Sequence, residues 1–166
     1  MISRKLLIRL ILAFELVPLI LILSSCFLSA QNIDTLRYFK PDGYKISNYE
    51  IRVDPVEFVG YRSKLIKVVS VTYVSTSSTV ILNAGEFESS FDMHDLWYKW
   101  VKKEGGTWNA LNSGLWWFSG NFSTYKTLGW YSGDSIFILN SDQNVNLIGI
   151  KTEIQNFMQV FGGSRQ

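Results

Sequence analysis

Along the chain, the spacing of apolar positions changes from stretch to stretch, and each spacing predicts an element. Residues 10–30, LILAFELVPLILILSSCFLSA, are an almost unbroken apolar run of 21 positions. A helix of that length, rising about 1.5 Å per residue, crosses the roughly 30 Å hydrocarbon core of a bilayer. Arg4, Lys5 and Arg9 precede the run, and no basic residue follows until Arg37. This asymmetry predicts an N-terminus in the cytoplasm and the rest of the chain outside.

Beyond residue 31 the apolar run ends. Residues 31–43 show no clear periodicity and read as a tether leading into the domain, closed by a turn at Pro41-Asp42-Gly43. Alternation with a period of two then predicts strands at 44–53, 64–75 and 79–87. Within KLIKVVSVTYVS, Val69, Val71 and Tyr73 fall on one face and Val68 and Val74 on the other. The second and third of these strands are joined by Thr76-Ser77-Ser78, as in a meander.

SSFDMHDLWYKWVKKEGG switches to three- and four-residue steps. Met93, Leu96, Trp97, Trp100 and Val101 form one apolar stripe, Ser89 and Asp92 resemble a capping box, and Gly105-Gly106 follow Lys102 and Lys103 as a stop. Strands resume at 115–122, 126–131 and 135–139, with Gly133-Asp134 as a tight turn. A second helix is expected at 145–161, with Leu147, Ile150, Ile154, Phe157, Met158 and Phe161 as its buried stripe. The order strands, helix, strands, helix predicts an α+β domain over residues 44–166: an antiparallel sheet with two amphipathic helices packed on one face.

Composition narrows what such a chain does. The net charge of +2 resides in the first thirty residues, and from residue 31 onward acids and bases balance. A neutral domain without a basic stripe lacks the electrostatic footprint of a nucleic-acid binder. Charged residues make up 18% of the chain, below the usual share of about 25%, so uncharged polar groups dress the surface, as suits a domain outside the cytoplasm.

Three fates compete for the N-terminal segment. A retained single-pass anchor is favoured by its length and by the poor cleavage site after Ala30, where Leu28 occupies a position that signal peptidase prefers small. Leu23-Ser24-Ser25-Cys26 resembles a bacterial lipobox and makes Cys26, the single cysteine of the chain, a candidate lipidation site, although Phe27 departs from the usual pattern. Simple secretion is the third. Glu15 stands inside the apolar run. Intramembrane acids usually face a partner, so Glu15 is a candidate intramembrane contact, weighed against a place near the interface beside Arg9.

Candidate chemistry is sparse. GLWWFSGNFSTYKTLGWYSGD gathers Trp116, Trp117, Phe122, Tyr125, Trp130 and Tyr131, aromatics that could meet a ligand or partner beside Ser and Asn. Trp116 and Trp117 point to opposite faces of a regular strand, so with a helix layer on one face only, one of them is expected to face outward. Asn121 opens the chain's one glycosylation sequon, Asn121-Phe122-Ser123. His94 has no ligand partner at helical spacing, and Glu86 and Glu88 read as acids on a solvated strand face. No metal, cofactor or catalytic motif is present.

The expected function is a non-enzymatic accessory or small subunit of a membrane assembly, single-pass, with its domain outside the cytoplasm and a protein partner. The alternative is an anchored or lipidated module binding a glycan or small ligand with the aromatic group. A hydrolase using Glu86, Glu88, Asp92 or Asp95 ranks third.

Overall fold

The computed structural model describes residues 32–104, 107–111, 115–121, 125–142 and 145–161. The expected membrane helix, with Glu15 and Cys26, lies outside the described residues, as does Phe122. Among the described residues no helix is long and apolar enough to cross a membrane.

The elements are β1 (Lys45–Val53), β2 (Glu57–Phe58), β3 (Tyr61–Arg62), β4 (Leu65–Val74), β5 (Thr79–Phe87), α1 (Ser90–Glu104), β6 (Thr107–Leu111), β7 (Leu115–Asn121), β8 (Lys126–Ser132), β9 (Ser135–Ser141) and α2 (Leu147–Phe161). Among the described residues, seven strands form one antiparallel sheet in the order β1-β4-β5-β9-β8-β7-β6, and β2 with β3 makes a separate small hairpin. The α+β class and the antiparallel sheet are therefore as expected. The turns are too: the Tyr44 N–H donates to the Pro41 carbonyl across Gly43 at φ 78°, and Gly133 takes φ 58° between β8 and β9.

The placement of the helices is not as expected. Neighbouring residues of a strand point to opposite faces. In β9, Ile136 and Ile138 join one buried cluster while Phe137 and Leu139 join another. The stripe of α1 packs with Val68, Ile136 and Ile138, and that of α2 with Val69, Val71, Leu82, Phe137 and Leu139. The helices thus lie on opposite faces, in three layers. The reason is visible in the apolar run of β9: a strand covered on both faces has no polar side to alternate with.

Residues 33–38, read as part of a tether, form a 3-10 helix (Ile33–Tyr38) with Ile33 and Leu36 buried against the α2 side of the sheet. The Asn32 side chain caps it by accepting from the Asp34 N–H at 3.1 Å. Lys67 on β4 ties it down, with Nζ 2.8 Å from Asp34 Oδ2 and 3.4 Å from Glu86 Oε2. Glu86 is buried, so its expected place on a solvated face is corrected: it lies on the α2 face, where Lys67 balances its charge.

On the other face, the β2–β3 hairpin inserts Phe58 over Gly85 and edgewise against Phe87, their ring centroids 6.1 Å apart. Its turn forces Val59 to φ 46° and Gly60 to φ 83°, a conformation that β-branched side chains resist. Phe161, expected in the stripe of α2, is 59% exposed, while Lys151 takes a buried place instead.

Candidate functional site

The aromatic group flagged in the sequence is dispersed by the sheet. Trp130 is 1% exposed and stacks on Phe137, ring centroids 5.1 Å apart and planes within 9°. The Nζ of Lys151 on α2 stands 5.9 Å from its ring, and burial lowers the pKa of that ammonium. Tyr131 points to the other face, edge-on to Trp97 at 5.3 Å and to His94 at 4.9 Å, and burial pushes its phenol up. Trp130 is therefore a packing residue of the α2 layer, and Tyr131, half-buried, packs in part against α1. For Trp116 and Trp117, the premise of a helix layer on one face only is replaced by a layer on each face of the sheet. In register, Trp117 opposes Trp130 and Asn121 opposes Lys126, while the side-chain surroundings of Trp116, Trp117 and Asn121 lie outside the described residues.

Tyr125 does border a space. Its hydroxyl donates to Glu104 Oε2 at 3.2 Å, and its pKa is pushed up by burial and by that carboxylate. With Val59, Trp100, Thr127, Ile138 and Asn140 these two residues line a cavity of about 350 Å³ at the C-terminal end of α1. Thr127 is buried, and among the described residues its Oγ1 has no hydrogen-bond partner.

The acids offered for hydrolysis are not brought together. Glu86 is buried on the α2 face, and Glu88 is exposed past the end of β5. Asp92 accepts from Ser89 Oγ at 2.6 Å, and Asp95 pairs with Lys99 at 2.6 Å.

A different feature stands out at the other end of the sheet, which sequence reasoning missed. β1 pairs with β4 on one side, and among the described residues no strand pairs with its other side. The Asp54 N–H donates to the Ile66 carbonyl. In an antiparallel ladder the bonding direction alternates, so Asp54, Arg52, Glu50 and Asn48 bond toward β4. The N–H and C=O groups of Tyr49, Ile51 and Val53 then point outward. Ile51 is 44% and Val53 68% exposed, and Glu50 and Arg52 stand on the opposite face with Nε to Oε1 at 3.5 Å. Alternation within NYEIRV was legible in the sequence, but nothing in a strand's own pattern says that it ends a sheet.

The comparisons speak to the fold alone. No family model matches the chain, and no curated protein does. Among solved structures, the chain resembles the crystal structure of a GTP-binding regulator from Thermotoga maritima, with a TM-score of 0.54 and 16% identity over 81% of this chain and 90% of that one.

Proposed function

We propose that this chain is a non-catalytic accessory subunit, anchored in a membrane by residues 10–30, whose domain outside the cytoplasm docks a partner chain along the outer edge of β1. The observation that carries this reading is that edge: the alternate residues Tyr49, Ile51 and Val53 point backbone groups outward that no strand among the described residues pairs with, and Ile51 and Val53 are exposed. Sheets otherwise blunt or cover such edges, and adding a strand to one supplies backbone hydrogen bonds and side-chain specificity together. The experiment is native purification from membranes with intact-mass measurement. The expected result is a chain that keeps its first thirty residues and co-purifies in an assembly that an Ile51→Lys, Val53→Lys variant disrupts while melting normally. Loss of about 25 to 30 residues would remove the anchor, and acyl mass on Cys26 would replace it with a lipid.

The cavity at the end of α1 favours a second reading, a module for a small hydroxylated ligand. Thr127, Asn140 and Tyr125 can each donate and accept, as sugar hydroxyls require. Quenching of tryptophan fluorescence by monosaccharides, abolished by Thr127→Val, is its test.

A further inference from the structure

We infer that the partner on the β1 edge is a second copy of this chain, in a two-fold dimer that joins the two sheets through antiparallel β1 strands. The inference rests on the reading of that edge as an assembly surface and adds the identity of the occupant.

The argument begins with what an isologous contact demands. A two-fold axis between antiparallel strands makes the surface its own complement, so each residue must suit the one that the axis brings opposite it. The usable ladder is short. A register shift between Ile46 and Asn48 interrupts β1 at one end, and Asp54 at φ 50° followed by Pro55 ends it at the other. Three centres are then open, at Glu50, Ile51 and Arg52. An axis through Glu50 sets that carboxylate against its own copy. One through Arg52 does the same with guanidiniums and brings Glu50 opposite Asp54. Like charges directly opposed destabilise a strand pair.

An axis through Ile51 meets neither obstacle. Ile51 then faces itself, Tyr49 faces Val53, and Glu50 faces Arg52 twice over, once on each side of the axis. Apolar residues meet on one face and opposite charges on the other. The backbone agrees: Tyr49, Ile51 and Val53 have N–H and C=O groups directed away from β4, so Ile51 with its copy, and each Tyr49 with the opposing Val53, become hydrogen-bonded pairs.

The direction of the axis supplies an independent check. Paired residues of antiparallel strands share a face, so this axis runs normal to the sheet and returns each face to itself. The 3-10 helix, where the described chain begins, packs on the α2 face. Both copies therefore start from the same side of the dimer, as two chains held in one bilayer require. Confinement to one membrane also raises the effective concentration of the edges for each other.

The test uses the full-length chain reconstituted in nanodiscs and in detergent, with mass measured across a dilution series. Glu50→Arg and Arg52→Glu should each weaken dimerisation about tenfold, because both charge pairs turn repulsive. The double variant E50R/R52E should restore it. Ile51→Cys should form a disulfide-linked dimer on mild oxidation, since hydrogen-bonded pairs have Cα atoms about 5.5 Å apart, within disulfide reach. The parent chain, which carries Cys26 alone, is the control. A monomeric parent, or a dimer indifferent to all three charge variants, overturns the inference. If, in addition, Ile51→Lys, Val53→Lys releases a different co-purifying protein, the edge is an assembly surface with another occupant and the proposed function stands. If that variant releases nothing, both readings fall.

Discussion

Gly129 shows how far a single side chain can be excluded. A Cβ built there would lie 2.5 Å from Cζ3 and 2.6 Å from Cη2 of Trp100, on the underside of α1. The indole lies directly against the strand backbone, with Cζ3 of Trp97 3.2 Å from that Cβ on the same face, so an added methyl must displace packed rings. Gly129→Ala should therefore cost about 1 to 3 kcal/mol, and Trp100→Ala about 3 to 5 kcal/mol from the void it leaves. Thermal melting of the purified chain decides this; an unchanged melting point for Gly129→Ala would mean that the helix is not seated there. Tyr73 presents the opposite case. Its hydroxyl is buried and has no hydrogen-bond partner among the described residues, its ring lies edge-on to Phe39, and burial pushes its pKa above the usual range for a phenol. Removing an unsatisfied buried hydroxyl is neutral or stabilising, so Tyr73→Phe should melt no lower than the parent. The sign with pH follows. Below about pH 10 the tyrosine is protonated in both folded and unfolded chains and contributes nothing. Above it only the unfolded chain ionises, so the parent should lose about 1.4 kcal/mol per pH unit relative to Tyr73→Phe. Parallel stability curves for the two proteins up to pH 11 would place the phenol in water.

At the scale of elements, α1 was almost fully legible. Its five stripe residues are the five it buries, and Ser89 caps it, accepting from the Asp92 N–H at 3.2 Å. The Asp92 carboxylate takes the Ser89 hydroxyl at 2.6 Å, a variation on the capping box with an acid shorter than the usual Glu. Ser89→Ala should cost about 1 kcal/mol, with amide exchange faster in the first turn of α1 and unchanged in α2. α2 was legible in extent and in most of its stripe: Leu147, Ile150, Ile154 and Met158 are buried and Phe157 packs partly against the core. Lys151 is buried within it while Val160 and Phe161 in its last turn are exposed. The 3-10 helix was not legible at all. Its two buried residues, Ile33 and Leu36, lack a repeating period, and its main tether is Lys67 on β4, distant in sequence. Lys67→Met should destabilise on the order of 3 kcal/mol, since it removes the cation 3.4 Å from the buried Glu86 and leaves Asp34 without the Lys67 ion pair.

At the scale of the whole molecule, the core extends to residues before β1. Ile33, Leu36 and Phe39 belong to the core under α2, so a fragment of residues 44–166 should be less stable than one of residues 32–166 by on the order of 5 kcal/mol. Equal melting points would return residues 32–43 to the role of a tether. Local signals were enough for the six longer strands and both helices, because period, caps and turn residues are properties of neighbours along the chain: Gly133-Asp134 and Thr76-Ser77-Ser78 needed no distant partner to be read. The class followed from them, and so did the expectation of a membrane segment at residues 10–30. What those signals omit is which strands lie side by side and which face each helix covers. Ile136-Phe137-Ile138-Leu139 held the hint that both faces are buried, but a short apolar run reads alike whether one helix or two will cover it. The dispersal of Trp130 and Tyr131 to opposite layers, the burial of Glu86 and the open edge of β1 were decided by tertiary structure. Each depends on residues far apart in the chain, whose proximity no local period encodes.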